Sequence, residues 1–154
     1  MAFTDVDVVL PLLATIEAAI TGVQTAYSSP PDSIMDLPAF VNLAGPATID
    51  YAAGDDDTGV EAYENRDYTL ILLVAPFMTG ISGEKYADLT PYFALVRNKF
   101  MAYQKLMTAK ALQVIWRGDA GSQNTITYAG VQYYGIRFAV TIRGRVRITY
   151  ASGE

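Results

Sequence analysis

The stretch Ile136-Arg137-Phe138-Ala139-Val140-Thr141-Ile142-Arg143-Gly144-Arg145-Val146-Arg147-Ile148-Thr149-Tyr150 decides the fold. Its even positions are apolar except for Gly144, and its odd positions carry four arginines with alanine and threonine. Alternation with period two over fifteen residues is the pattern of a strand with one buried face and one polar, basic face. The run is longer than an ordinary strand, so it reads as one long bent strand or as two that continue each other. Gly144, the lapse on the apolar side, is expected to mark a bulge or bend.

Upstream, Leu112–Trp116 reads as a strand closed by Arg117-Gly118-Asp119-Ala120-Gly121, and Asn124–Tyr128 as a second, turning at Ala129-Gly130. Asp67–Phe77 is apolar on both parities from Tyr68 to Val74, which suits a central strand covered on both faces. Leu37–Leu43 and Ala47–Tyr51 read as two short strands that pair, and Gly54–Gly59 as an exposed acidic loop tip. Two helices complete the set. Val6, Val9, Leu10, Leu13, Ile16, Ile20, Val23 and Tyr27 make an apolar stripe for a helix over roughly residues 5–26, led by Thr4 and Asp7 as a capping box and interrupted by Pro11, which predicts a kink or a later start. After the connector 79–84, Thr90 and Pro91 predict a helix start, and the stripe Tyr92, Leu95, Val96, Tyr103, Leu106 and Met107, widened by Phe93, Phe100 and Met101, carries it onward. The expectation is one α+β domain over 1–154, a mostly antiparallel sheet with two main helices packed on one face.

Composition narrows the chemistry. The 154 residues contain no cysteine and no histidine, which removes disulfides, thiol nucleophiles, the commonest general base and the commonest transition-metal ligands. The net charge of −5 hides a split: residues 1–67 hold twelve acids and one base, residues 68–154 ten bases and four acids. Such polarity either pairs internally or presents opposite signs on different faces. The acidic start lacks the positive region of a signal peptide, and Leu70–Phe77 is too short to span a bilayer, so a soluble, intracellular chain is expected.

Familiar motifs fail on inspection. Gly80–Tyr86 has the wrong spacing for a phosphate loop and no hydroxyl after Lys85. Asp55-Asp56-Asp57 lacks the alternate-position ligands and closing glutamate of a calcium loop, so a solvated loop is the better reading and no metal or cofactor is expected. No Gly-x-Ser-x-Gly nucleophile elbow occurs. Arg143, Arg145 and Arg147 would line a strip about 7 Å apart, with Tyr133 and Tyr134 near enough in sequence to stack bases. A sequence pI of about 4.6 argues against a dedicated nucleic-acid binder. The strip is better matched to the acidic half, in the same chain or a neighbour.

The order of these elements resembles the small tail-terminator and tail-completion (neck) proteins of long-tailed bacteriophages. The features that carry the resemblance are the N-terminal helix, Leu37-Pro38-Ala39-Phe40-Val41 with its following acidic loop, the Arg66–Val74 strand, the Thr90-Pro91 helix and the closing Tyr128–Val140 segment. The resemblance implies a non-enzymatic virion protein, assembled in the host cytoplasm. It would form a ring, usually hexameric, that ends the tail tube and joins it to the head, contacting tail-tube and head-connector proteins. DNA would pass through the lumen without sequence-specific contact. The family brings no catalytic residues. In such a ring, Asp55, Asp56, Asp57, Glu61 and Glu64 of one subunit would face Arg143, Arg145 and Arg147 of the next, a heterologous contact. The alternative is a small α+β ligand- or peptide-binding module, possibly dimeric.

Overall fold

The structure, a computed structural model, describes residues 5–51, 57–77, 83–102, 105–106 and 112–151, with the side chains of 83–86, 105–106 and 123–125 left aside. The elements run α1 (Val6–Ala18), β1 (Thr25–Ala26), β2 (Ala39–Asp50), β3 (Gly59–Pro76), α2 (Gly83–Met101), β4 (Lys105–Leu106), β5 (Leu112–Tyr128) and β6 (Val131–Thr149). One six-stranded sheet has the order β1-β2-β3-β6-β5-β4. All pairings are antiparallel except β1 with β2, which is parallel. This is the expected α+β architecture, and both helices lie on one face.

The alternating run belongs to one strand, β6, up to Thr149, with Tyr150 just past its end, and the strand starts five residues earlier at Val131. Its pairing with β3 keeps register from Gly59 opposite Thr149 to Leu73 opposite Gly135, so Gly144 marks no bulge. The irregularity lies on β3 instead, between Leu73 and Ala75. There Gly135 lets the neighbouring backbone close in. β3 itself extends well upstream of Asp67, because Val60, Ala62 and Glu64 alternate with Glu61, Tyr63 and Asn65 in strand fashion.

Two pairs of predicted strands prove to be single strands with bulges. β2 joins both predicted segments through a register shift between Ala44 and Ala47, where Gly45 and Pro46 sit. Proline has no donor for a ladder, and a bulge is where a strand tolerates it. Arg66 Nη1 donates to the Gly45 carbonyl at 2.9 Å and ties the bulge down. β5 likewise runs through Arg117–Gly121 with three register shifts, and Gly118 and Gly121 take φ of 112° and 80°. Turn-forming residues read as a strand end here bend a strand that continues.

The helices also differ from their sequence signals. α1 begins at Val6, so Pro11 does not delay it, and it stops at Ala18 rather than near residue 26. Gly22, at φ 93°, turns the chain towards β1. α2 begins at Gly83, which places Thr90 and Pro91 inside it. A proline at 91 removes the N–H that would bond the Ala87 carbonyl. The Thr90 hydroxyl donates to that same oxygen at 3.3 Å, replacing the missing donor. α2 ends at Met101, so Leu106 lies in β4 and not on the helix, while Tyr103 and Met107 fall outside the described residues. Thr4 of the proposed capping box also falls outside them.

One hydrophobic layer unites α1 (Val9, Leu13, Ile16), α2 (Leu89, Val96, Phe100) and the sheet residues Phe40, Leu70, Leu72, Ile136, Phe138 and Val140. A second, smaller cluster on the opposite face gathers Val41, Ile71, Leu73, Ile126 and Tyr133 under Tyr27, Ile34 and Leu37. The Tyr128 hydroxyl donates to the Pro31 carbonyl and pins that cover. Two covers explain why Leu70–Leu73 is apolar on both parities. Residues 43–50, 59–66 and 143–149 belong to neither cluster and form a three-stranded arm continuous with the core.

Gly135 gives a direct check on the close approach of β6 to β3. A Cβ there would lie 2.0 Å from the Leu72 carbonyl oxygen and 3.0 Å from Ile126 Cδ1. Because the obstacle is backbone in a central strand, Gly135→Ala is expected to lower stability by about 2–3 kcal/mol in urea unfolding. A loss below about 0.5 kcal/mol would show that the strands separate freely there.

Candidate functional site

The arm presents two unlike faces, because the register of β3 against β6 sorts side chains by parity. On the face away from the helices, Glu61 stands opposite Arg147, Tyr63 opposite Arg145 and Asn65 opposite Arg143, while Asp50 of β2 stands opposite Tyr63. Glu61 bridges two arginines, with Arg145 Nη1 at 3.5 Å and Arg147 Nη1 at 3.8 Å. Arg143 Nη2 lies 3.9 Å from Asp50, and its Nη1 donates to Asn65 Oδ1 at 3.3 Å. The Tyr63 ring sits between them. Arg143 Cζ lies 4.1 Å from its centroid and Arg145 Cζ 5.7 Å, and Arg145 Nη2 donates to the hydroxyl at 3.4 Å. Arg147 Nη2 donates to Thr58 Oγ1 at 2.8 Å.

The band continues towards the core. Thr141 Oγ1 donates to Asp67 Oδ1 at 2.7 Å and accepts from Arg117 Nε at 3.0 Å, linking β3, β6 and β5. Beyond it, Arg117 and Arg137 flank an open groove of about 300 Å³ floored by Thr69 and Ala139, with Asp119 also in its wall.

The acids and arginines singled out by sequence therefore separate into groups. Arg143, Arg145, Arg147 and Glu61 meet within one chain. Glu64 does not join them: its even position puts it on the helix-side face, where Arg66 Nη2 lies 3.6 Å from Oε1. Asp57 is exposed near the arm's end, and Asp55 and Asp56 lie outside the described residues. Tyr63, Asn65 and Thr58 went unread as partners of the arginines. The signal for two of them, Tyr63 and Asn65, was their odd-position alternation with Glu61, which only the register with β6 makes meaningful.

Beyond the Glu64–Arg66 pair, towards the tip, the helix-side face of the arm is apolar. Ile49, Val60, Ala62, Val146 and Ile148 occupy it by register, and Tyr51 and Tyr150 follow in the same alternation. Ile49 is 40% exposed, Tyr51 60%, Ile148 42% and Tyr150 48%. Four large exposed apolar side chains on one small sheet face form a patch of the kind that marks interaction surfaces. Between patch and core, burial above all, with Glu64 and Asp5 and against the opposing pull of Arg66, pushes the pKa of the Tyr68 hydroxyl up to about 12.

Among the described residues, no group of three or more acidic side chains is placed to hold a metal ion, and no helix is long and apolar enough to cross a membrane. Two further open grooves, of about 280 and 310 Å³, lie at Trp116 and between the C-terminal ends of α1 and α2 respectively. Compared with protein-family models and with curated proteins, the sequence matches none of either.

The charged face should contribute specificity more than stability. Its ion pairs are solvent-accessible, so Glu61→Gln is expected to change stability by less than about 1 kcal/mol, with the difference shrinking in high salt. Tyr63→Ala removes the ring both guanidiniums rest on and should cost about 1–2 kcal/mol, a loss that persists in high salt. Urea midpoints at two ionic strengths separate the two; equal losses would contradict the assignment of Tyr63 as the organising residue.

Proposed function

We propose that this chain is a non-enzymatic structural subunit that assembles into a ring of about six copies at the head–tail junction of a long-tailed phage. There it ends the tail tube, joins it to the head and lets DNA pass through its lumen without base-specific contact. The observation that carries the reading is the arm. Its helix-side face leaves Ile49, Tyr51, Ile148 and Tyr150 in water, which a subunit contact would cover. Its opposite face is an ordered lattice of arginine, carboxylate and tyrosine. The resemblance in element order agrees with a ring, and the charged lattice supplies the directional complementarity that such contacts use.

The in-chain pairing refines how the charges serve. Asp50 and Glu61 already compensate the strip, so a neighbour would add to or exchange with an existing network instead of meeting bare arginines. Native mass spectrometry tests the assembly. A ring of about six supports it, whereas a monomer or dimer overturns it and leaves the small binding module as the reading. Ile148→Glu should reduce the ring to smaller species with an unchanged circular dichroism spectrum, because the side chain is half-exposed. An unchanged mass would remove the arm's apolar face from the interface. Arg143→Glu combined with Arg145→Glu should weaken assembly most at low salt; identical sedimentation to the parent at low and high salt would remove the charged strip.

A further inference from the structure

Glu17 is a charged residue type in a place that offers no charge to meet it. It lies on the inner side of α1, 0% exposed, against Asn42 of β2, 1% exposed. Asn42 Nδ2 donates to Glu17 Oε1 at 2.6 Å. The two other polar atoms of the pair, Glu17 Oε2 and Asn42 Oδ1, are buried and have no hydrogen-bond partner among the described residues. If the carboxyl were ionised, both leftover atoms would be acceptors, and neither could satisfy the other. A proton on Oε2 turns one of them into a donor.

We propose that Glu17 is held as a neutral carboxylic acid in a two-bond ring with Asn42, and that this ring is a proton-dependent latch fastening α1 to the sheet. In the ring Nδ2–H donates to Oε1 and Oε2–H donates to Oδ1, which leaves no orphaned polar atom in the pair. Release is a simple proton loss from Oε2 to water or a buffer base. It leaves a buried carboxylate that Asn42 can bond only once, and undocking α1 is the route by which that carboxylate reaches solvent.

The surroundings give an ionised Glu17 no help. α1 contributes Asp5 and Asp7, the nearer one ten residues or about 15 Å away along the helix. β1 contributes only Thr25 and Ala26. From β3 the same layer receives Tyr68, with Arg66 and Glu64 farther along the strand. From α2 it receives Tyr92, with Asp88 beside it, while Lys99 lines the groove next to Ala19 and Ile20, outside the pair's hydrogen bonding and not among the influences on the carboxyl. Burial raises the carboxyl well above the ordinary range, and the Asn42 bond is the sole opposing influence. The sign follows from proton counting. Above the ordinary carboxylate range the unfolded chain has released this proton and the folded chain has not, so stability declines as pH rises through that window. The decline ends where Glu17 ionises in the folded protein.

The test compares the native chain with Glu17→Gln, whose amide keeps the bond from Asn42 and supplies a permanent donor to Oδ1. Every other titrating group is common to both. The unfolding constant of the parent should rise about tenfold per pH unit relative to the variant across the window, with α1 amides losing exchange protection before those of β3 and β6. Parallel stability–pH profiles would overturn the latch. On the parent alone, the carboxyl carbon shift of Glu17 should report the protonated form at neutral pH; an ionised signature there overturns the proposal whatever the variant does. The outcome is independent of whether the chain forms a ring.

Discussion

The antiparallel pairing of β3 with β6 is the constraint on which the rest of the molecule depends. It runs from Gly59 and Thr149 at the tip of the arm to Pro76 and Tyr133 at the far end, with a single shift of register. Because side chains alternate across a sheet, that one alignment assigns every other residue to a face. It sends Leu70, Leu72, Phe138 and Val140 to the helices, and Ile71 and Leu73 to the small layer beneath residues 27–38. It also sends Glu61, Tyr63 and Asn65 to the arginines. A slip of one residue would turn Arg137 under the helices, move Arg143, Arg145 and Arg147 to the opposite face of the arm and strand the core in water, so the hydrophobic layer and the charged lattice select the same register from opposite sides.

Much of this was legible in advance. The alternation of residues 136–150 named β6 and its two faces, and the doubly apolar run from Tyr68 to Val74 named the centre of β3. Both signals are strong because burial imposes them on every second position over many residues. The division of charge between the halves of the chain was also visible, and the structure turns it into ion pairs from β6 to β3 and, across β3, to β2.

What stayed hidden depends on contacts distant in sequence. Gly45-Pro46 and Arg117–Gly121 are composed like turns, and only a neighbouring strand that continues past them shows that they are bulges. Thr90-Pro91 has the form of a helix start, yet the threonine hydroxyl fills the place of the proline's missing donor and the helix passes through. Glu64 looked equivalent to Glu61, but its parity sends it to Arg66. Glu17 is in sequence only one of twelve acids in residues 1–67, and its partner Asn42, 25 residues away, is brought to it by the packing of α1 on β2.

The ladder, in one register from Gly59–Thr149 to Leu73–Gly135, also determines how the molecule carries force. Arm and core share β3 and β6 without an intervening hinge, so the arm cannot swing as a separate lobe. A pull along the arm loads the hydrogen bonds between the two strands in shear, many at once, instead of peeling them singly. Strain applied at the tip therefore reaches the helix-covered layer through the backbone itself, and the chain behaves as one stiff lever with its polar lattice on one side and its apolar patch on the other.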